Sequence, residues 1–259
     1  MNIAVCVKQV PDTSTPGRLD PATHTLDRSA KLMLDPSDEY GVEMALQLLT
    51  AAGGGQVTLV SMAPHGEVAG LRTALAMGAD KAILVSDESL AGSDALGTAK
   101  VLAKAIERVG AELILAATES TDGYTGTLPV QVAELLGLPA VTFAKEVRID
   151  GGKVFVQRQT EAGYDEVECP LPALVTVTAG VVEPRYPSFK GIMAAKSRPI
   201  DQLKVADLDL SLDEVGWPGA GQTIVSVEAA ETRQAGEIVV DEGDGYQRIV
   251  AFLEQIKVI

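Results

Sequence analysis

The chain has 259 residues and a formal net charge of −15; 46% of it is hydrophobic and only 4% aromatic. That length allows one large domain or two small ones, with a core of Val, Leu, Ile and Ala suited to buried parallel strands under helices. The acidic balance argues against a nucleic-acid partner. No apolar run approaches the roughly 20 residues of a membrane span, and the chain enters a strand at once with no leader pattern. A cytoplasmic protein that is not membrane-embedded is therefore expected. Cys6 and Cys169 lie far apart in apolar sequence and read as buried reduced thiols. His24 and His65 sit in polar loop sequence and offer no metal site.

In chain order, Asn2–Val7 is an apolar run and predicts a buried first strand, which Pro11 ends. Residues 14–34 are polar and read as an excursion or small hairpin. Asp35-Pro36-Ser37-Asp38 predicts a helix start, with Asp35 as cap and Pro36 in the first position. Val42, Ala45, Leu46 and Leu49 form that helix's buried face, and Gly53-Gly-Gly55 breaks it. Val57–Ser61 predicts a second strand, Gly66–Met77 a helix and Ala82–Val85 a third strand. Ser93 is expected to cap the next helix, which Gly110 ends. Strand Leu113–Ala117 follows.

That strand leads into Thr118-Glu-Ser-Thr-Asp-Gly-Tyr-Thr-Gly-Thr-Leu-Pro129. Asp122-Gly123 and Gly126 permit a tight turn and close backbone approach. Thr125 or Thr127 can cap a helix with Pro129 in its first turn, Leu128, Val132, Leu135 and Leu136 on one face, and Gly137 at its end. A strand, a Gly/Thr loop and a helix N-terminus make an anion site, because free N–H groups and the helix dipole converge there. The absence of a Lys after the second glycine excludes a Walker A loop. The same pattern also suits a plain βα turn.

The first 140 residues thus read β-α-β-α-β-α-β-α-β, which demands a parallel sheet with right-handed crossovers. Ligands in such sheets sit at the carboxyl ends of the strands, near the topological switch point. That brings residues 6–13, 35–38, 61–64 and 117–128 around one crevice, with Lys8 as its one phosphate-binding cation. Val147–Arg158 then alternates around Gly151-Gly152, a hairpin signal, and Tyr164–Glu168 alternates again. These runs and the apolar strand Leu174–Thr178 predict an antiparallel extension of the sheet.

Residues 183–204 carry five Lys/Arg against two Asp/Glu, in an otherwise acidic chain. With Tyr186, Phe189, Ile192 and Met193 they read as a partner surface, or as a helix packed on its own domain with solvated lysines. Residues 201–259 hold twelve Asp/Glu and four Lys/Arg and have little core pattern outside Tyr246–Ile256. Such an arm is expected to lie on another subunit.

Several runs together resemble the beta subunit of electron transfer flavoproteins. They are Val7-Lys-Gln-Val-Pro-Asp12, Asp35-Pro-Ser-Asp-Glu-Tyr40, Thr73-Ala-Leu-Ala-Met-Gly-Ala-Asp80, Ser120-Thr-Asp-Gly-Tyr-Thr-Gly126 and Glu183-Pro-Arg-Tyr186 with Gly191-Ile-Met-Ala-Ala-Lys196. Arg158, Glu161–Glu166 and Leu171-Pro-Ala173 follow the same family order. The resemblance spans nearly the whole chain. It implies an α/β, Rossmann-like fold of the adenine nucleotide alpha hydrolase kind, with a parallel sheet, an antiparallel extension and an extended C-terminal arm. Residues 1–200 would be the nucleotide-binding domain, with a partner-recognition loop at about 179–200. Residues 201–259 would pack on the alpha subunit.

It also implies half of a heterodimeric electron carrier of fatty acid beta-oxidation, not an enzyme. The alpha subunit would carry the redox FAD near the interface, and this subunit a structural AMP. Electrons would come from acyl-CoA dehydrogenases or related flavoenzymes and pass to a membrane quinone reductase. The nucleotide pocket falls on Cys6, Asp35, Pro36, Ser37, Asp38, Met62, Ala117, Asp122, Gly123, Tyr124, Thr125, Gly126, Thr127 and Leu128. The docking loop falls on Glu183, Arg185, Tyr186, Phe189, Ile192, Met193 and Lys196, with Phe189 in place of the family's exposed leucine. Two positions depart from the family. Asp35 replaces an Asn, so it should face the ribose or cap the helix. Ser37 and Thr13 stand where many members have an aromatic that approaches the alpha-subunit flavin. The alternatives are a bifurcating-type subunit with a second FAD and NADH, an adenine-nucleotide-processing enzyme, and a nucleotide-sensing module like universal stress proteins.

Overall fold

A computed structural model describes residues 1–12, 14, 16–228, 236 and 238–259. Thr13 and most of 229–237, which include part of the expected arm, lie outside the described residues. The chain divides into two units, Met1–Ile224 and Val225–Ile259.

The first unit is built on a sheet whose apolar strands are buried on both faces. β1 (Asn2–Cys6) lies in its interior, paired on both edges; the 32–34 and 9–11 strands form a separate ribbon. Gln9–Pro11 (β2) pairs antiparallel with Leu32–Leu34 (β3), so the polar excursion hangs between two short strands. Inside it, Leu19 and Leu26 form a single bridge. Helix α1 (Pro36–Ala51), strand β4 (Gln56–Ala63), helix α2 (Ala69–Met77), strand β5 (Lys81–Ser86), helix α3 (Ala95–Glu107), strand β6 (Leu113–Ala117) and helix α4 (Leu128–Leu135) then alternate. Next come strands β7 (Ala140–Asp150), β8 (Lys153–Thr160), β9 (Gly163–Pro170) and β10 (Ala173–Val177), helix α5 (Phe189–Ala195), strand β11 (Ile200–Leu203) and a single helical turn α6 (Gly216–Gly219).

The sheet order is β11-β5-β4-β1-β6-β10-β7-β8-β9. Pairs from β11 to β7 are parallel, and β7-β8-β9 are antiparallel. The expected parallel sheet with an antiparallel extension is therefore observed. The last apolar strand, β10, is threaded between β6 and β7, because it is buried on both faces and belongs in the middle of the sheet.

Alternate residues of each central strand enter opposite layers. Ile3, Val5, Leu59, Leu113, Leu115 and Val175 pack under α1 and α2 with Val42, Ala45, Leu71 and Leu75. Ala4, Val60, Ile83, Ile114 and Leu174 pack under α3 and α4 with Leu102, Ile106 and Val132.

Several local expectations are corrected. The second helix starts at Ala69, three residues after Gly66. Asp94, not Ser93, caps α3 by accepting from Gly97 N. Ser93 Oγ instead donates to Leu90 O and accepts from Gly216 N at 2.8 Å. A carboxylate accepts from N–H groups more strongly than a hydroxyl does, and this hydroxyl is held by tertiary partners. Thr127 occupies the cap position of α4 without a side-chain cap bond, and Leu135 is exposed while Ala133 takes the buried place. The first unit runs to Ile224. β11 pairs with β5, and Val205, Leu208 and Val215 enter the α3-side core, so these sparse apolar residues are enough to dock 201–224.

In the second unit, α7 (Gly245–Gln255) follows a turn in which Asp241 accepts from Gly243 N and Gly245 N. Its Tyr246, Ile249, Val250 and Phe252 are exposed. No helix among the described residues is long and apolar enough to cross a membrane.

The β2–β3 ribbon is seated on α2 by Gln9, whose side chain donates to Glu67 O at 2.7 Å and accepts from Gly70 N at 2.8 Å. A Cβ at Gly70 would lie 2.8 Å from Leu34 N and from Gln9 Cγ. Gly70→Ala is therefore expected to destabilise the fold by about 1–3 kcal/mol, the range for overpacking. Urea unfolding of the two proteins checks this.

Candidate functional site

From β1 the chain steps outward to β4 and β5, then returns to β6 on the other side of β1. The switch point therefore lies between β1 and β6, and the loops after those strands cannot close over it. The carboxyl ends of β1, β4 and β6 bring Cys6, Met62 and Ala117 to this edge.

Aspartates join the loops. Asp35, fully buried, accepts from Ser37 N at 2.9 Å through Oδ1 and from Thr121 N at 2.8 Å through Oδ2. Thr121 Oγ1 also donates to Oδ2 at 3.2 Å. Asp35 takes the cap role expected for it, and both its oxygens accept from protein groups. One turn along α1, buried Asp38 accepts from Lys8 N at 2.6 Å. Burial first, and then Asp35 nearby, push the Asp38 carboxyl well above its ordinary value, with Lys8 opposing.

Lys8 Nζ donates to Ser120 Oγ at 3.1 Å and pairs with Asp122 at 2.5 Å. Arg28, from the excursion, pairs with the other Asp122 oxygen and donates to Gln9 O at 3.2 Å. Burial disfavours ionised Asp122, but Lys8 and Arg28 outweigh it and hold the carboxyl low. Asp122 thus faces two cations of its own chain. Both cations are paired with Asp122, and backbone N–H groups are the other donors that an anion could meet here.

Those donors are present. Tyr124 N–H is taken by Ser120 O at 3.0 Å. The N–H groups of Gly123, Thr125, Gly126 and Thr127 have no partner among the described residues. Tyr124 and Gly126 adopt φ of 48° and 69°, which turns successive N–H groups outward just before α4. A cavity of about 480 Å3 beside this cradle is lined by Val10, Pro11, Gly17, Leu26, Pro36 and Tyr124 among others. It lies within the range of about 300–1,000 Å3 usual for small-molecule sites. Leu128 is half-buried behind the loop.

Of the residues expected here, Pro36, Asp122 and Tyr124 line the cavity. Cys6, Met62 and Ala117 do not line it, and Ser37 opens onto a neighbouring cavity. Burial, then Asp38, push the Cys6 thiol up to about 12, so it supplies no thiolate. No group of three or more His, Cys, Asp or Glu able to hold a metal exists among the described residues. Gly17, Leu26 and Arg28 were not anticipated. Arg28 reaches a partner 94 residues away, and nothing in its local pattern signals this.

The basic segment divides into two parts. Gly191 lies so close to α2 that a Cβ would meet Ala76 O at 2.4 Å, and Arg72 donates to Ala195 O and Arg198 O at 2.6 Å each. Arg185 forms a two-point pair with buried Glu43, at 2.6 and 2.9 Å, and Arg198 donates to Gly78 O at 2.7 Å. These two arginines serve the domain. Tyr186 and Phe189, at 94% and 82% exposed, stand clear with Ile192, Met193, Glu183, Lys190 and Lys196.

Asp38→Asn keeps an acceptor for Lys8 N–H and removes the titrating charge. A carboxyl raised in the folded state binds more protons than in the unfolded state, so stability falls as pH rises between its ordinary and raised values. The substitution is expected to raise the thermal midpoint at pH 7 and to lose that advantage below about pH 4, where both states hold the proton. Melting curves across pH check both the gain and its fading.

A family model described as the electron transfer flavoprotein domain matches residues 23–208. Proteins called electron transfer flavoprotein subunit beta from Mycobacterium tuberculosis and Mycobacterium bovis are each 43% identical, over 100% of this chain and 99% of theirs. One of the same name from Thermoanaerobacterium thermosaccharolyticum is 40% identical over 92% of both. The caffeyl-CoA reductase-Etf complex subunit CarD of Acetobacterium woodii is 35% identical over 92% of both. With a family model across most of its length and such relatives end to end, this chain belongs to the electron transfer flavoprotein family, with the beta subunits.

Proposed function

We propose that the chain is the beta half of a heterodimeric electron carrier and binds AMP as a structural nucleotide at the switch-point crevice. The observation that carries this is the row of four unpartnered N–H groups from Gly123 to Thr127, opening beside the cavity. A phosphate there would be held by backbone dipoles at a helix N-terminus, with adenosine lying toward Pro36 and the end of β1. Lys8 and Arg28, already paired with Asp122, stiffen the loop rather than meeting the phosphate. The buried Cys6 thiol and the absence of a metal-holding acid cluster among the described residues offer nothing for hydrolytic chemistry. This favours a held nucleotide over an adenine-nucleotide-processing enzyme.

In this reading the alpha subunit carries FAD near the interface, and Val225–Ile259, with its exposed apolar α7, packs on that subunit. Tyr186, Phe189, Ile192 and Met193, flanked by Lys190 and Lys196, dock acyl-CoA dehydrogenases or related flavoenzymes. Electrons then pass to a membrane quinone reductase in fatty acid beta-oxidation in the cytoplasm. A bifurcating subunit with a second FAD and NADH is the alternative.

Co-expression with the alpha subunit, purification, denaturation and chromatography of the released nucleotides tests this. One AMP and one FAD per heterodimer are expected. Two FAD would move the chain to the bifurcating type, and no nucleotide would overturn the reading. In the same complex, Phe189→Ala is expected to slow electron transfer from the dehydrogenase at least tenfold, since a large apolar anchor is worth about 2 kcal/mol or more. Flavin content should not change. Unaltered transfer rates would remove Phe189 from the docking surface.

A further inference from the structure

Strand β7 leaves regular pairing twice within four residues. On its β10 side, Val141 faces Val175 and Ala144 faces Val177, so Thr142 and Phe143 together oppose Thr176. On its β8 side, Ala144 faces Arg158 and Glu146 faces Gln157, so Lys145 is an extra residue. Bulges of this kind re-aim side chains and gather beside functional sites. Here the re-aimed residues, Phe143 and Lys145, line one cavity of about 850 Å3.

Phe143 also adopts φ 59°, a left-handed conformation that a bulky residue holds only when its surroundings enforce it. They do so here, because Phe143 N donates to the Oγ1 of buried Thr176 at 3.0 Å. The ring gains no core packing in return and is 47% exposed. Lys145 Nζ is steered by one bond to Ala179 O at 2.8 Å, which leaves two of its three protons for another acceptor. Ser37, Thr118, Gln159, Thr160 and Thr178 supply a polar rim, which also carries Glu119 and Glu161. The cavity is separate from the AMP crevice, and the first turn of α1 divides them: Pro36 lines one and Ser37 the other.

One apolar ring face, a cation at its edge and a rim of hydroxyls, an amide and two carboxyl groups suit a flat heterocycle that carries both carbonyl and N–H groups along one side. We propose that Phe143 and Lys145 form a shelf for the isoalloxazine ring of the flavin carried by the alpha subunit. Phe143 stacks on the ring, and Lys145 approaches its carbonyl edge, where negative charge gathers on reduction. This assigns to β7 the aromatic contact that Ser37 cannot make. The inference rests on the reading above, in which the partner's flavin lies at the interface.

The test uses the purified heterodimer with Phe143→Gly, Phe143→Tyr and Lys145→Gln. Glycine suits φ 59°, so in flavin-stripped heterodimers Phe143→Gly is expected to melt no lower than the parent. The loaded Phe143→Gly complex is expected to show shifted visible flavin bands and at least tenfold weaker flavin retention, with AMP content unchanged. Phe143→Tyr restores both properties. Lys145→Gln is expected to make the flavin midpoint potential more negative. Unchanged bands and retention in Phe143→Gly would overturn the shelf, as would loss of AMP or a lower melting point in the stripped form, which would mark the ring as packing. A parent heterodimer without flavin would instead overturn the carrier reading, and the shelf with it.

Discussion

The functional edge of this protein depends on one buried carboxylate. Asp35 ties the start of α1 to Thr121, 86 residues later, with no solvent to share the load. A carboxylate taken out of water is costly unless its oxygens are bonded. Three bonds to Asp35 meet that demand and in doing so set the position of the loop after β6. Asp38 and Asp122 extend the tie to Lys8 and Arg28. The outward N–H groups of Gly123 to Thr127 are presented at one place because this network holds the residues just before them.

The network also explains why the crevice lacks spare charge. Asp122 takes up Lys8 and Arg28, and burial with Asp35 suppresses ionisation of Asp38. What lines the cavity is Val10, Pro11, Gly17, Leu26, Pro36, Thr121 and Tyr124, together with the acids Asp12 and Asp122. The same economy appears on the opposite side of the first layer. Arg185 is bound by buried Glu43 and Arg198 by Gly78 O, so the segment carrying Phe189 is anchored by its arginines and presents its apolar side chains outward.

Sheet irregularity does comparable work further along. β10 must lie between β6 and β7 because it is apolar on both sides. β7 must then run parallel to β10 on one edge and antiparallel to β8 on the other. The two bulges fall where these pairings meet, and they place Phe143 and Lys145 over the carboxyl ends of β6 and β10.

Hydrophobic period, Gly, Pro and capping residues act over a few neighbours, so the alternation of strands and helices and the parallel sheet with its antiparallel extension were legible in the sequence. Asp35 as a cap was legible for the same reason. Only the folded chain shows that Asp122 faces Lys8 and Arg28, and that Ser93 turns to Gly216 N rather than capping α3. It also shows that residues 201–224 dock on the first unit, and that Phe143 stands in a left-handed bulge. Each of these depends on partners far along the chain, or on the register between strands, and neither leaves a mark in the local pattern.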